Sequence, residues 1–221
     1  MAVEIRRGSS RFNERVPGRA TWHSFSFGSA YDPDNVSFGP MLCHDDHWLV
    51  EGVGFAPHRH SDLVVVSWVL TGALTHTGPT GEHTVGAGSV AVLHTGPGVE
   101  HSEVAAAPQT RFVQVWLEPD ASPAAPSYDV SPGDPAPGRL SVVSRPTERA
   151  AFSVARLESS QSIVLPEAPW QHVFVARGAL RRSSLAEPLL AGDAFRITDE
   201  PGHQLIAAVP TELLVWGLSG G

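Results

Sequence analysis

At 221 residues, with 42% apolar and 17% charged side chains, the chain has the composition of a globular protein of one or two domains and not of a disordered one. A formal net charge of -8 with neutral histidines argues against direct nucleic-acid binding. A single cysteine, Cys43, excludes an internal disulfide framework. With no apolar leader at the N-terminus and no apolar run of membrane-spanning length, this leads us to expect a cytoplasmic protein with no membrane partner.

The 21 glycines and 19 prolines cut the chain into short segments, and a helical period is hard to find over any long window. Short β-branched and aromatic runs bounded by turn residues predict strands in two sets. The first comprises Trp48–Glu51, Leu63–Leu70, Ala73–Thr77, Ser89–Leu93 and Arg111–Leu117. The second comprises Leu140–Val143, Phe152–Leu157, His172–Ala176, Ala194–Ile197 and Glu212–Trp216. Between them, residues 119–138 are rich in Pro, Ala, Ser and Asp and read as a linker. The expected organisation is therefore all-β, with an N-terminal barrel over 1–118 and a C-terminal barrel over 139–221.

The two halves repeat each other. Val69-Leu70-Thr71-Gly72-Ala73-Leu74 parallels Val175-Ala176-Arg177-Gly178-Ala179-Leu180. Ala87-Gly88-Ser89-Val90-Ala91 parallels Ala191-Gly192-Asp193-Ala194-Phe195, and Pro97-Gly98 parallels Pro201-Gly202. Three matches in the same order at nearly constant offset indicate a duplicated β-barrel unit.

Within the first copy, His58-Arg59-His60 precedes an apolar run and His101-Ser102-Glu103 follows a glycine-rich turn. Residues two apart on a strand share a face, so each pair projects two donor groups into one space. Two such strands facing each other give a site of three imidazoles and one carboxylate, suited to a divalent first-row metal with open coordination positions. Pro57 favours an extended entry, and Gly96-Pro97-Gly98 a tight turn that re-aims the second strand. In the second copy the equivalent positions are taken as Val164, Pro166, Leu205 and Ala207, none of which binds metal, so the site belongs to the N-terminal half alone. Asp62 is read either as a hydrogen-bond acceptor behind an imidazole or as a rim charge. The other eight histidines, His76 among them, are read as surface or hydrogen-bonded core residues.

These residues resemble the pirin family of the cupin superfamily. The resemblance rests on Trp22-His23-Ser24-Phe25-Ser26-Phe27-Gly28, Tyr31-Asp32-Pro33, Phe38-Gly39, Pro57-His58-Arg59-His60 and Gly96-Pro97-Gly98-Val99-Glu100-His101-Ser102-Glu103, and it covers roughly residues 5 to 118. The family usually has His-Pro-His where this chain has His58-Arg59-His60. The resemblance implies a bicupin of two packed double-stranded β-helix (jelly-roll) barrels. Its one metal would be held by His58, His60, His101 and Glu103, with Fe(2+) first and copper, nickel, manganese and zinc also accepted. It implies a quercetin 2,3-dioxygenase-like oxidoreductase opening a flavonol or related aromatic diol with O2. Glu103 would serve as general base or permanent ligand, and Phe27, Phe38, Phe55, Val66 and Trp68 would line the mouth. The alternative it implies is a redox-sensing regulator acting through a protein partner.

Overall fold

The computed structural model describes residues 2–120, 125–181, 188–200 and 202–220; Pro201 of the repeat and part of the 119–138 segment lie outside them. Its contacts form two compact units. One contains Phe12–Ser37 and Met41–Gly133, and the other Met1–Arg11, Phe38–Pro40 and Asp134–Gly221. Among the described residues no helix is long and apolar enough to cross a membrane.

The first unit has two antiparallel sheets. In spatial order, the seven-stranded sheet holds β12 (Ser127–Pro132), β9 (Ser89–His94), β6 (Val64–Thr71), β11 (Thr110–Leu117), β4 (Met41–Leu49), β3 (Arg19–His23) and β2 (Phe12–Val16). The four-stranded sheet holds β5 (Gly54–His60), β10 (Val99–Ala105), β7 (Ala73–Gly78) and β8 (Gly81–Gly86). They close on one core, to which Leu49, Val69, Ala91 and Phe112 come from the large sheet and Leu74, Val85 and Ala105 from the small one. The run Val64–Leu70 is apolar almost throughout because β6 lies mid-sheet with both faces covered, so its residues are all buried.

Two expectations change here. The range read as a linker contains β12, which pairs with β9 from Ser127↔His94 to Pro132↔Ser89 and completes the first barrel. The N-terminal residues belong to the other unit, where β1 (Ala2–Arg6) pairs with β17 (Ala194–Thr198). Composition hid both, since an edge strand exposes polar residues and needs little apolar sequence. The strand expected at Trp48–Glu51 instead ends β4, and Glu51 and Gly52 turn the chain.

The second unit has a six-stranded sheet of β1, β17, β16 (Trp170–Arg177), β19 (Thr211–Leu218), β14 (Ala150–Leu157) and β13 (Leu140–Thr147), with a small sheet of β15 (Ser162–Val164) and β18 (Gln204–Ile206). The duplication extends to single hydrogen bonds. Gly72 and Gly178 both take positive φ, 71° and 78°, where an added Cβ would collide with Thr110 and Thr211 respectively. Thr110 Oγ1 donates to the Ala73 carbonyl at 3.0 Å, and Thr211 Oγ1 to that of Ala179 at 2.9 Å. The Gly88 amide donates to Val69 and the Gly192 amide to Val175, each at 2.8 Å.

Candidate metal centre

β5 and β10 bring the two histidine motifs together. Val99 pairs with His60 and His101 with His58, so the two segments run side by side in register. Pairing then slips, with Glu103 opposite Phe55, leaving Ala56 and Pro57 facing Ser102 alone. Pro57 has no N–H to give a ladder, which suits this bulge, and bulges re-aim side chains. The bulge also orients an imidazole, because Nδ1 of His58 lies 2.8 Å from the Ala56 carbonyl. As the donor in that bond, Nδ1 leaves Nε2 with its lone pair free.

One ligand atom from each of His58, His60 and His101 lies within 4.8 Å of the others, a group compact enough to hold one ion. The rings are 4.9 Å (His58 to His60), 4.4 Å (His58 to His101) and 5.2 Å (His60 to His101) apart between centroids. Burial lowers the pKa of His60 to about 4 and that of His101 to about 3, with neighbouring imidazoles adding to the effect. Neutral imidazole is the ligating form. Both ring nitrogens of His101 are buried without a hydrogen-bond partner among the described residues, and a metal bond would satisfy one of them. The donor set thus fits a divalent ion.

Glu103 stands in the same barrel, almost wholly buried, but its carboxylate is engaged elsewhere. Gln114 Nε2 donates to Oε1 at 3.1 Å and Oε2 at 2.9 Å, and also reaches Ser67 Oγ at 3.1 Å. Trp116 fixes the amide's orientation by donating its indole N–H to Gln114 Oε1 at 3.0 Å. Burial raises the Glu103 pKa, and the Gln114 hydrogen bond partly offsets that.

Of the residues expected at the mouth, Phe27 is 44% exposed, stacks on His23 and meets Trp116 edge-on at 5.9 Å; Trp116 in turn lies 4.8 Å from His60. Phe55 lies 6.4 Å from His58. The other three are corrections. Ser67 points at Gln114, so alternation turns Val66 and Trp68 to the opposite face of β6. Phe38 belongs to the other unit, beneath the Arg196 guanidinium. Asp62 is exposed in a turn with φ 55°, hydrogen-bonding through its backbone to Gly96, and is thus a rim residue. Arg59 is exposed, as alternation requires.

The second copy also needs one correction. Ile163 pairs with Leu205 as His58 pairs with His101, so Ile163 and Leu165 occupy the positions assigned to Val164 and Pro166. Ile163, Leu165, Leu205 and Ala207 are all buried in that unit's core, whereas Val164 is exposed. A one-residue slip reverses every face of a strand. Hydrocarbon fills the site in this copy.

Sequence reading missed three neighbours. His76 is fully buried with both ring nitrogens unpartnered among the described residues, 5.1 Å from the His101 ring, and burial lowers its pKa to about 4. Tyr128 of β12 stacks on it at 3.7 Å. Gln114 is the third. A lone histidine, a tyrosine in a Pro-rich stretch and a glutamine inside an apolar strand carry no spacing signal.

The sequence matches the Pirin family model over residues 6–117. A protein of Mycobacterium tuberculosis whose quercetin 2,3-dioxygenase name is provisional is 36% identical, over 97% of this chain and 94% of that protein. The protein named quercetin 2,3-dioxygenase in Escherichia coli K12 is 28% identical, over 98% of each chain. The crystal structure of an Escherichia coli bacterial pirin in complex with nickel(II) superposes with a TM-score of 0.88 over the whole of both chains at 21% identity, a likeness of fold. A chain that repeats this family's sequence along its N-terminal half and its architecture from end to end belongs to the pirin family.

Proposed function

We propose that the chain is a metal-dependent dioxygenase of the quercetinase type, opening the ring of a flavonol or related aromatic diol with O2. The observation that carries this reading is the group of three imidazoles within 4.8 Å of one another in one barrel, answered by hydrocarbon in the other. Relatives named quercetin 2,3-dioxygenase support the substrate class.

His58, His60 and His101 would hold a divalent ion, Fe(2+) first, with Glu103 as the fourth ligand or as the base. When bound, such an ion supplies a Lewis-acidic centre with open positions for the oxygens of a diol and for O2. The Ala56 carbonyl keeps His58 in one tautomer. Gln114 holds the Glu103 carboxylate by a hydrogen bond, and burial raises its proton affinity. That combination suits Glu103 to take the proton of a substrate hydroxyl onto one carboxylate oxygen. Trp116 and Phe27 form an aromatic wall next to His60, suited to a flat ring.

The test is aerobic incubation of the Fe(2+)-loaded protein with quercetin, measuring flavonol loss and carbon monoxide. Ring opening with CO release that His101→Ala abolishes is the expected result. Failure of the wild type to consume quercetin, or an unchanged rate in His101→Ala, would overturn the assignment.

A further inference from the structure

Beside the metal centre, three side chains bury polar atoms that have no hydrogen-bond partner among the described residues: both ring nitrogens of His101, both of His76, and the Tyr128 hydroxyl. A bound ion can satisfy one nitrogen of His101. His76 is left without a role, although its side chain is fully buried and an unpaired buried imidazole is costly.

Its place is built by the neighbouring strands. His76 lies opposite Glu103 across the β7–β10 ladder, so the two side chains leave the same face of the small sheet. They then part. Glu103 reaches Gln114 of β11, in the other sheet. The His76 ring leans along β7 over Gly78, where an added Cβ would lie 2.8 Å from its Cε1, 3.5 Å from its Nε2 and 3.6 Å from the His101 Cβ. Gly78 lacks the positive φ that favours glycine, so what calls for glycine there is room for the imidazole. Tyr128 clamps the other side of the ring, stacking on it at 3.7 Å with 8° between the planes. The lean carries the Cε1–Nε2 edge to the side of His101, whose ring is 5.1 Å away. Yet His76 stays outside the group of donor atoms that lie within 4.8 Å of one another, which consists of His58, His60 and His101. An imidazole carries at least one N–H in either protonation state. Placed beside the ligands without joining them, it can donate to an oxygen that the ion holds.

We propose that His76 is a ligand-binding residue of the three-histidine metal centre, on whose reading above this role rests: its ring N–H donates a hydrogen bond to an oxygen that an aromatic diol places on the ion. Gly78 and Tyr128 hold the ring in the pose from which it donates.

The test is titration of the Fe(2+)-loaded full chain, without O2, with the coloured diol 4-nitrocatechol, read by visible absorbance, with iron per chain measured in parallel. His76→Phe keeps a ring to stack on Tyr128 and removes both nitrogens. It should retain its iron and bind the diol about tenfold more weakly, the worth of one hydrogen bond. His76→Gln restores an N–H donor and should stay within about threefold of the wild type. Gly78→Ala leaves the imidazole present but pushes its ring aside, so it should weaken binding as His76→Phe does. Should His76→Phe melt early, the contrast between His76→Gln and Gly78→Ala decides. Unchanged affinity in His76→Phe would reduce the ring to packing, and loss of iron from folded His76→Phe would make it a metal ligand; either result overturns the proposal. A wild type that binds the diol with this dependence on His76 yet leaves quercetin intact would support the donor role and remove only the dioxygenase reading.

Discussion

Gln114 spans Glu103, its Nε2 lying 3.1 Å from one carboxylate oxygen and 2.9 Å from the other. That amide nitrogen thereby holds a buried carboxylate, to which the Ser67 hydroxyl also hydrogen-bonds. Without that donor the carboxylate loses the contact that offsets part of the effect of burial, so its proton affinity rises further. Gln114→Leu should therefore raise the Glu103 pKa further and weaken Fe(2+) binding at neutral pH by about tenfold or more, as loss of such supporting contacts commonly does. Isothermal titration at pH 7 and pH 8.5 checks this, with part of the loss recovered at the higher pH. Equal affinity in the variant would show that Glu103 and the ion are not coupled.

The buried imidazoles make the metal-free protein acid-sensitive. His47, His60 and His76 titrate at about 4 and His101 at about 3, chiefly through burial, against 6.5 as the ordinary value. Below pH 6.5 the unfolded chain takes up protons that the folded chain refuses, so folding stability is complete above that pH and is lost as pH falls toward 3. Glu103 acts in the opposite sense. Its raised pKa favours the folded state at low pH and costs stability as pH rises, but one carboxyl stands against four imidazoles. Urea midpoints of metal-free protein should fall between pH 7 and pH 5.

Tyr128 tests whether β12 is part of the first barrel. Its hydroxyl is buried without a partner among the described residues, and its ring stacks on His76. Tyr128→Phe keeps the stack and discards an unsatisfied group, so stability should hold or rise. Tyr128→Ala should cost about 3 kcal/mol, as large-to-small core changes do. Equal, negligible effects from both would mean that the strand contributes nothing to the barrel.

The matched threonines give a symmetric prediction. Thr110→Val and Thr211→Val each remove the hydroxyl that seals a glycine turn, and each should cost about 1 kcal/mol per lost hydrogen bond in thermal unfolding. A large effect in one half only would deny the equivalence of the two turns.

How much of this was legible in sequence depended on periodicity. His58, His60 and His101 announced themselves because strand alternation turns i, i+2 spacing into shared direction, and the Gly72 and Gly178 turns exposed the duplication. The duplication also misled. Carrying positions across by the offset of the repeat gave Val164 and Pro166 as the second copy's ligand positions, when the ladder register selects Ile163 and Leu165. Nothing in the sequence around Gln114, His76 or Tyr128 signals a site, because their roles come from strands that meet only after folding. The composition of 119–138 hid an edge strand for the same reason.

Metal content per chain is the most direct measurement. Protein purified without chelator or nickel resin, reconstituted with Fe(2+) and dialysed, should hold one ion per chain by elemental analysis. His58→Ala, His60→Ala and His101→Ala should each lose it while circular dichroism stays unchanged. Full occupancy in a His101→Ala protein, or none in the folded wild type, would contradict the account.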